Sequence, residues 1–513
     1  MRNNIGLFLT KRAFRDPNLE AIFEPASDRR FTYHEFNERS NRIANTLLDL
    51  GVGFGERVGV LLMNGVEFLE TFFACGKIGA VCVPLNWRLV PAELEFILND
   101  SGTTTVVFGA EFEAGVTDLH SRSTSVHRWI RVSGASASPA PTFSLDYDEL
   151  ASAAGTAEPP TVGADDDLLF IMYTSGTTGL PKGVMHTHRT VAWGIITVNA
   201  TADLRYKDRY ILALPFFHVG ALNPALCIVH RGGTGIIMRA FDPVQAWELI
   251  EAERVTSMLA VPAMLNFMLQ AGQGGRSIST LRWIMSGAAP VPVSLIHEYI
   301  ALGIEIHQVY GLTESCGPAC LLTSDDAVER AGSTGKAFFH TGIRVVDGEG
   351  RDCAPGEPGE VLVSGAHIML GYWNRPEATA ETIRDGWLHT GDIATMDADG
   401  FVTIMDRVKD MLISGGENVY PAEIENVILS NPKVGDVAVL GIPSSKWGES
   451  PLAVVVRRDA SLTPEEVIAG CKGRLAAFKM PKAVRFVDEI PRNPSGKILK
   501  RVLRDQFTDI AVD

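Results

Sequence analysis

The sequence predicts an α/β protein with a large N-terminal domain, a small β-rich subdomain and a small α/β C-terminal domain. Three observations carry this reading. Apolar strands alternate with amphipathic helices through the first hundred residues, which argues a parallel sheet with helices on its faces. Over 342–363 short strands alternate with turns at Asp347-Gly348 and Pro358-Gly359, the pattern of a β-rich unit. Beyond Asp406-Arg407-Val408-Lys409-Asp410 a compact stretch carries strands of its own, which sets domains at 1–408 and 409–513. The length of 513 residues suits about three domain-sized units.

Taken in order, Thr32-x-x-Glu35 is a capping box. It opens a helix with Phe36, Ile43, Leu47 and Leu50 on one face and Gly51 as its stop. A buried strand over 58–63, a helix over 66–78 and a strand over 80–85 follow. Pro91 opens the next helix, which closes near Ser101-Gly102 before a strand at 104–108. The stretches 133–141 and 151–163, rich in Ala, Ser, Gly and Pro, read as surface connections. A short apolar strand over 168–172 precedes the most informative loop of the chain, and the middle third continues in the same style. The C-terminal strands lie at 434–440, 452–456 and 484–486, with a helix opening at Thr463-Pro464-Glu465-Glu466. There are no internal repeats and no heptads.

A net charge of −15 argues against a nucleic-acid partner, which needs a basic surface, so acidic substrates must be steered by local cationic patches. The seven cysteines (Cys75, Cys82, Cys227, Cys316, Cys320, Cys353, Cys471) are odd in number, scattered and free of C-x-x-C pairs. That excludes a disulfide framework or zinc site and points to a reducing compartment. Near the start, the apolar run 5–9 precedes Lys11 and Arg12, the wrong order for a signal peptide, and no run approaches transmembrane length. The expectation is a soluble, cytoplasmic protein; peripheral membrane contact and a homodimer stay open.

The loop reads Tyr173-Thr174-Ser175-Gly176-Thr177-Thr178-Gly179-Leu180-Pro181-Lys182-Gly183. Hydroxyls on Thr174, Ser175, Thr177 and Thr178, backbone N–H groups bared at Gly176 and Gly179, and one cation at Lys182 are what a polyphosphate needs. The spacing is not that of a Walker loop, and neither Gly332-Ser333-Thr334-Gly335-Lys336 nor Ser495-Gly496-Lys497 meets it. The full string resembles the phosphate loop of the adenylate-forming superfamily, which holds acyl-CoA synthetases, luciferases and peptide-synthetase adenylation domains. Later motifs fall in that superfamily's order along essentially the whole chain.

The resemblance implies stacked sheets in the large domain, a mobile C-terminal domain, and a set of site residues. Ser286-Gly287-Ala288-Ala289-Pro290 would let the adenine lie close to backbone. In Gln308-Val309-Tyr310-Gly311-Leu312-Thr313-Glu314, Tyr310 would stack on adenine and Thr313 would bond the α-phosphate. Glu314, with Thr177, would hold Mg²⁺, a hard cation that takes one or two carboxylates plus phosphate oxygens. Asp392 of Trp387-Leu388-His389-Thr390-Gly391-Asp392 would accept the ribose hydroxyls, joined by Arg407. Lys497, in Pro491-Arg492-Asn493-Pro494-Ser495-Gly496-Lys497, would bridge the attacking carboxylate and the α-phosphate. Thr174, Lys182, Glu314, Arg407 and Lys497 form the implied catalytic set. Lys409 would be the hinge of a rotation that withdraws Lys497 and brings in Ser414-Gly415-Gly416, along which a pantetheine arm could slide. The basic run Lys472, Arg474, Lys479, Lys482 and Arg485 suits coenzyme A phosphates or a solvated face equally.

The resemblance also places His218, Val219 and Gly220 at the carboxylate pocket, where Gly311, Gly317 and Ala288 would leave lateral room for a flat or extended acid. His186 and His188 lack a third ligand and belong to the strand-to-helix connection. The implied reaction joins a carboxylic acid to coenzyme A through an acyl-adenylate, with ATP consumed and AMP and pyrophosphate released. The pattern is most similar to bacterial fatty-acyl-CoA synthetases of medium to long chain preference. Aryl-acid–CoA ligases of the hydroxycinnamate or benzoate type are the nearest alternative. A free-standing enzyme loading a carrier protein and a luciferase-like oxygenase are more distant ones.

Overall fold

The computed structural model describes residues 3–122, 125–134, 139–174, 181–289, 291–323, 326–407, 410–414, 417–444, 448–472, 474–475, 479–492 and 498–507. Two large sheets build the N-terminal domain. The first runs, edge to edge, through Gly371–Tyr372, Lys182–Thr187, Leu168–Thr174, Val81–Pro84, Arg57–Leu61, Thr103–Gly109, Arg128–Val132 and Ser144–Asp146. Its strands are parallel from Leu168–Thr174 onward. The strands Lys182–Thr187 and Gly371–Tyr372 each add antiparallel at the other edge. The second sheet has a parallel centre of Glu305–Tyr310, Trp283–Gly287, Ser257–Leu259, Arg209–Leu212, Thr234–Ile237 and Glu20–Glu24, with antiparallel strands at both edges.

Parallel strands are buried on both faces, so they read as continuous apolar runs, and helices must cover them. The largest apolar cluster draws on both sheets (Val58, Val60 and Phe170; Ile22, Leu212 and Trp283) and on helices Tyr33–Asp49, Val66–Ile78, His188–Thr201 and Val219–Arg231. Separate clusters cover the other faces, one with helices Pro91–Ser101 and Glu113–Ser121, the other with Pro243–Ala252, Pro262–Ala271 and Val293–Ala301. The expected local signals hold. Thr32 and Glu35 form a reciprocal capping box, and the helices Val66–Ile78 and Pro91–Ser101 both end on a left-handed glycine.

Two local expectations are corrected. Residues Ala151 to Ala153 finish the helix Tyr147–Ala153, capped by Asp146, so the connection begins only after it. That connection is stitched down: Asn41 Nδ2 donates to Thr156 O at 2.9 Å, Asn45 Nδ2 to Ala157 O at 3.0 Å, and buried Lys77 donates to Glu158 at 3.0 Å. The turn expected at Pro358-Gly359 falls earlier, where Glu357 N donates to Ala354 O across Gly356, while Gly359 already pairs with Ala394.

The β-rich unit is an antiparallel sheet of Gly342–Val346, Gly359–Ser364, Trp387–Met396, Ile383–Arg384 and Val402–Arg407. A fourth sheet takes Glu417–Val419, Leu412–Ser414, Gly448–Arg457, Val434–Ser444 and Ala483–Val487, and two apolar clusters around it consist wholly of residues beyond 411. A core of its own is what makes the C-terminal part a domain. Among the described residues no helix is long and apolar enough to cross a membrane.

Candidate active site

Thr174 and Lys182 are cross-strand partners at the base of the phosphate loop. Ser175, Gly176, Thr177, Thr178 and Gly179 lie outside the described residues, as do Lys409, Gly415, Gly416, Lys497 and the side chain of Arg407. The base is rigid for reasons the structure supplies. Tyr173 Oη donates to Asp100 Oδ2 at 2.7 Å, and Asp100 also receives Arg375 Nη2 at 2.9 Å and, at its carbonyl, Trp373 Nε1 at 2.9 Å. Burial and that carboxylate push the Tyr173 phenol well above its ordinary pKa, so it stays a donor.

Edge pairing then brings a new residue into the site. Strand Gly371–Tyr372 runs antiparallel to Val184 and Met185, with Trp373 N donating to Gly183 O at 2.7 Å. This sets the Tyr372 ring 4.9 Å from Lys182 Nζ, a cation–π contact. The Tyr372 hydroxyl donates to Glu314 Oε1 at 2.8 Å. Lys182 and Glu314, far apart in sequence, thus meet on one tyrosine. Sequence reasoning passed over Tyr372; its signal is the run Gly371-Tyr372-Trp373-Asn374-Arg375-Pro376 ahead of a proline-started helix.

The turn Thr313–Ser315 that carries Glu314 is bolted to the same hairpin. His186 Nε2 donates to Thr313 O at 2.7 Å, and Met369 N donates to Glu314 O at 2.8 Å. Since a carbonyl only accepts, His186 carries its proton on Nε2, and Nδ1 accepts from Thr190 Oγ1 at 3.0 Å. Burial lowers the His186 pKa to about 4, so it is neutral at ordinary pH. His188 is likewise lowered to about 4 by burial, and its Nδ1 accepts from Ile5 N at 3.0 Å. Both belong to the strand-to-helix connection. Among the described residues no group of three His, Cys, Asp or Glu could hold a metal.

Tyr310 Oη donates to Asp392 Oδ2 at 2.6 Å, linking the last residue of strand Glu305–Tyr310 to strand Trp387–Met396 of a different sheet. Burial, then the Asp392 charge, raise the phenol well above its usual value. Asp392 is 4 % exposed and pairs with Arg407 through the strand register, so the two residues expected at the ribose stand side by side in backbone. Gln308 and Ser286 are register partners, and Gln308 Nε2 and Ser286 Oγ are buried with no hydrogen-bond partner among the described residues. The chain then turns at Gly287 and Ala288; Ala288 has φ +67°, a left-handed conformation that costs an alanine energy, and Ala289 follows.

Val219 and Gly317 are neighbours, for a Cβ on Gly317 would lie 3.8 Å from Val219 Cγ2. His218 is the N-cap of helix Val219–Arg231, and its ring centroid lies 4.6 Å from that of Phe217. Its Nε2 is shut from solvent without a hydrogen-bond partner among the described residues. Burial, then the charge of Arg88, lower its pKa to about 4. Gly220 faces Leu214. The lateral room expected of Gly311 takes another form. A Cβ there would overlap the carbonyl oxygen of Gly317, so the space is already filled by backbone, and Gly311 is needed for this close approach. Cys316 is buried at φ +57°, its carbonyl accepting from Asn223 Nδ2 at 2.6 Å.

Ser414 stands on the fourth sheet, 1 % exposed, its Oγ without a hydrogen-bond partner among the described residues. Of the basic run, Lys479 donates to Glu423 at 2.7 Å and Arg474 donates to Ser430 Oγ at 2.6 Å, so these two cations are engaged within their own domain.

The model of the AMP-binding enzyme family matches residues 9–373, and that of the AMP-binding enzyme C-terminal domain matches 423–497. The chain is 45 % identical over 509 residues to a long-chain-fatty-acid–CoA ligase, FadD13, of Mycobacterium tuberculosis, covering 98 % of this chain and 99 % of that one. It is 41 % identical to a feruloyl-CoA synthase of an Amycolatopsis species, covering 99 % and 100 %. Among solved structures, the o-succinylbenzoate coenzyme A synthetase of Bacillus subtilis in complex with ATP and magnesium ion superposes with TM-score 0.87 at 32 % identity, covering 98 % and 100 %. With two family models in register and full-length likeness at this identity, the chain belongs to the AMP-binding enzyme family of the adenylate-forming superfamily and is an acid–thiol ligase.

Proposed function

We propose that this chain activates a medium- to long-chain fatty acid with ATP, forming an acyl-adenylate and pyrophosphate, and then transfers the acyl group to coenzyme A with release of AMP. The observation that carries the reading is the meeting of Lys182 and Glu314 on Tyr372 beside the base of the phosphate loop. A cation and a carboxylate held apart by one aromatic ring suit the triphosphate and its metal. Lys182 offsets charge that builds on the leaving pyrophosphate, and the rigid hairpin beneath it fixes that position in advance. Asp392 accepts the ribose hydroxyls, with Tyr310 holding its carboxylate in place. Thr313 and the amides of the loop wrap the α-phosphate. Gln308, Gly287, Ala288 and Ala289 edge the base, Gln308 and Ser286 offering buried polar atoms there.

The residues fit Mg²⁺: Glu314 offers the hard carboxylate oxygen such a cation prefers, with Thr177 as a second oxygen and phosphate oxygens as the rest. When bound, the ion supplies charge neutralisation on the phosphates. Lys497 and Arg407 complete the catalytic set as the resemblance implies. We place the domain boundary between 408 and 409, with Lys409 as hinge and Ser414-Gly415-Gly416 as the strip along which pantetheine lies. The acid enters past neutral His218, between Val219, Gly220 and Gly317. The absence of a membrane-crossing helix among the described residues, with the cysteine pattern, supports a cytoplasmic enzyme.

Aryl acids are the second reading, supported by the likeness to the feruloyl-CoA synthase and by the small residues at Gly220 and Gly317. The purified protein with ATP, Mg²⁺, coenzyme A and a panel of straight-chain, branched and aromatic acids, read by mass spectrometry, tests both. A graded series of fatty acyl-CoA products is expected. Aryl-CoA products alone would replace the substrate class. Acyl-AMP without thioester would overturn coenzyme A as acceptor in favour of a carrier protein.

A further inference from the structure

We propose that Asp406 is a positioning residue that latches the C-terminal domain in one of its orientations, capping helix Pro421–Leu429 from across the domain boundary. The inference rests on the boundary and the two-step reaction proposed above.

Asp406 is fixed in the N-terminal domain by strand Val402–Arg407, where it pairs with Ile393. Its Oδ2 accepts from Ala422 N at 3.0 Å, in the first turn of helix Pro421–Leu429. That helix has no cap of its own, because Tyr420 stands at the N-cap position and makes no side-chain cap bond. A carboxylate at this end satisfies an orphan N–H and meets the positive end of the helix dipole.

Around this contact the charges are arranged unevenly. Lys500 Nζ lies 3.0 Å from Glu425 Oε1, and the same oxygen accepts from Val439 N at 2.8 Å. Arg504 Nη2 lies 2.7 Å from Asp410 Oδ1. Burial acts against the Lys500 charge, and Glu425, Asp406 and Asp410 overcome it, so its pKa stands above the ordinary lysine value. Asp410, Glu425, Lys500 and Arg504 all lie beyond the boundary and move as one body; Asp406 alone lies before it. A rotation at residue 409 therefore breaks the bond to Ala422 and the attraction to Lys500. Lys500 keeps Glu425 and the field of Asp410, so this half-buried charge is not stranded when the latch opens, which is the costly outcome. Leu503, on the same helix Lys500–Gln506, is fully buried in the C-terminal core, and Lys500 follows Lys497 by three residues. The latch thus acts on the element that begins just after Lys497.

The test uses the full-length protein with Asp406→Ala and, in case that variant folds poorly, Asp406→Asn. One readout is tryptic cleavage after Arg407 or Lys409, located by intact mass; the other is the ratio of acyl-AMP formation to acyl-CoA formation from preformed acyl-AMP. Loss of a helix cap predicts cleavage faster by about fivefold and a ratio shifted by about fivefold, with a smaller change for Asn, unchanged melting of the N-terminal domain and a C-terminal transition lowered by no more than a few degrees. Cleavage and ratio both within about twofold of wild type would overturn the latch. So would faster cleavage with an unchanged ratio, or an equal loss in both steps. If the wild-type protein adenylates no acid, the proposed function fails, and the cleavage rates alone then decide the latch.

Discussion

The hairpin of Leu168–Thr174 and Lys182–Thr187 is joined to its surroundings by backbone. It hydrogen-bonds to Gly371–Tyr372 on one side and Val81–Pro84 on the other, and His186 bolts the Glu314 turn to it. Among the described residues, the junction at Asp406 is made with a backbone N–H and with side-chain charges. The hairpin packs into two apolar clusters, whereas the C-terminal domain has clusters of its own. The difference follows from what each region must do. Phosphate oxygens need donors already in place, because reorganisation during the reaction would cancel their benefit. A domain that presents two loops in turn, as proposed above, needs an attachment weak enough to break, and a cap of about 1 kcal/mol is of that order.

The largest way to break this comparison is Lys497→Ala. We expect adenylation to fall by about 10²–10³, while thioester formation from preformed acyl-AMP is spared. Equal loss in both half-reactions, measured separately, would remove Lys497 from the adenylation step. Gly311→Ala strikes the rigid side. Its Cβ would overlap the Gly317 carbonyl, at a cost of about 1–3 kcal/mol, and would displace Tyr310 and Thr313. The expected result is a lower melting temperature of the N-terminal domain together with weaker ATP binding; unchanged calorimetry would show that the loop shifts freely.

Acid separates the two domains by sign. His186, His188 and His367 are fully buried with pKa lowered by burial to about 4, against about 6.5 unfolded. Below pH 6.5 the unfolded chain binds protons that the folded one refuses, so stability present above that pH is lost as it falls toward 4. Buried Glu70, pushed up to about 7 chiefly by burial, works the other way, because the folded state takes its proton first on acidification. His218, also lowered to about 4, acts with them, so between pH 7.5 and 5.5 the balance is a loss of about 3 kcal/mol. All 12 histidines precede residue 409, so the loss falls on the N-terminal domain alone. Calorimetry should show one transition dropping by a few degrees and the other standing still. A parallel drop in both would mean that the domains unfold as one. The smallest expected effect is Tyr372→Phe, which keeps the ring under Lys182 and removes the bond to Glu314. A KM for MgATP raised about tenfold with little change in kcat is expected; a fall in kcat alone would place Tyr372 in the transition state instead.

The strands and helices of the first hundred residues could be read from pattern because each reports on itself: Thr32 and Glu35 cap one another, and the runs near 58, 81 and 104 are apolar because both faces are covered. Helix Tyr147–Ala153 was hidden by its Ala-Ser composition, which resembles a linker until Asp146 is seen to cap it. Tyr372 could not be placed as a site residue, since nothing near it in sequence says that Gly371–Tyr372 adds to the hairpin edge.

By itself the sequence determined the order of elements, the phosphate loop, the acidic charge and the family, because motifs of adjacent residues need only local geometry. Tertiary structure alone decided that Lys182 and Glu314 share Tyr372, that Asp392 is held by Tyr310, and that Gly311 is filled by a carbonyl rather than open. It also decided that Asp406 caps a helix of the other domain. These contacts join residues from different sheets, and pairing across a sheet edge or a domain boundary leaves no periodicity in the chain to read.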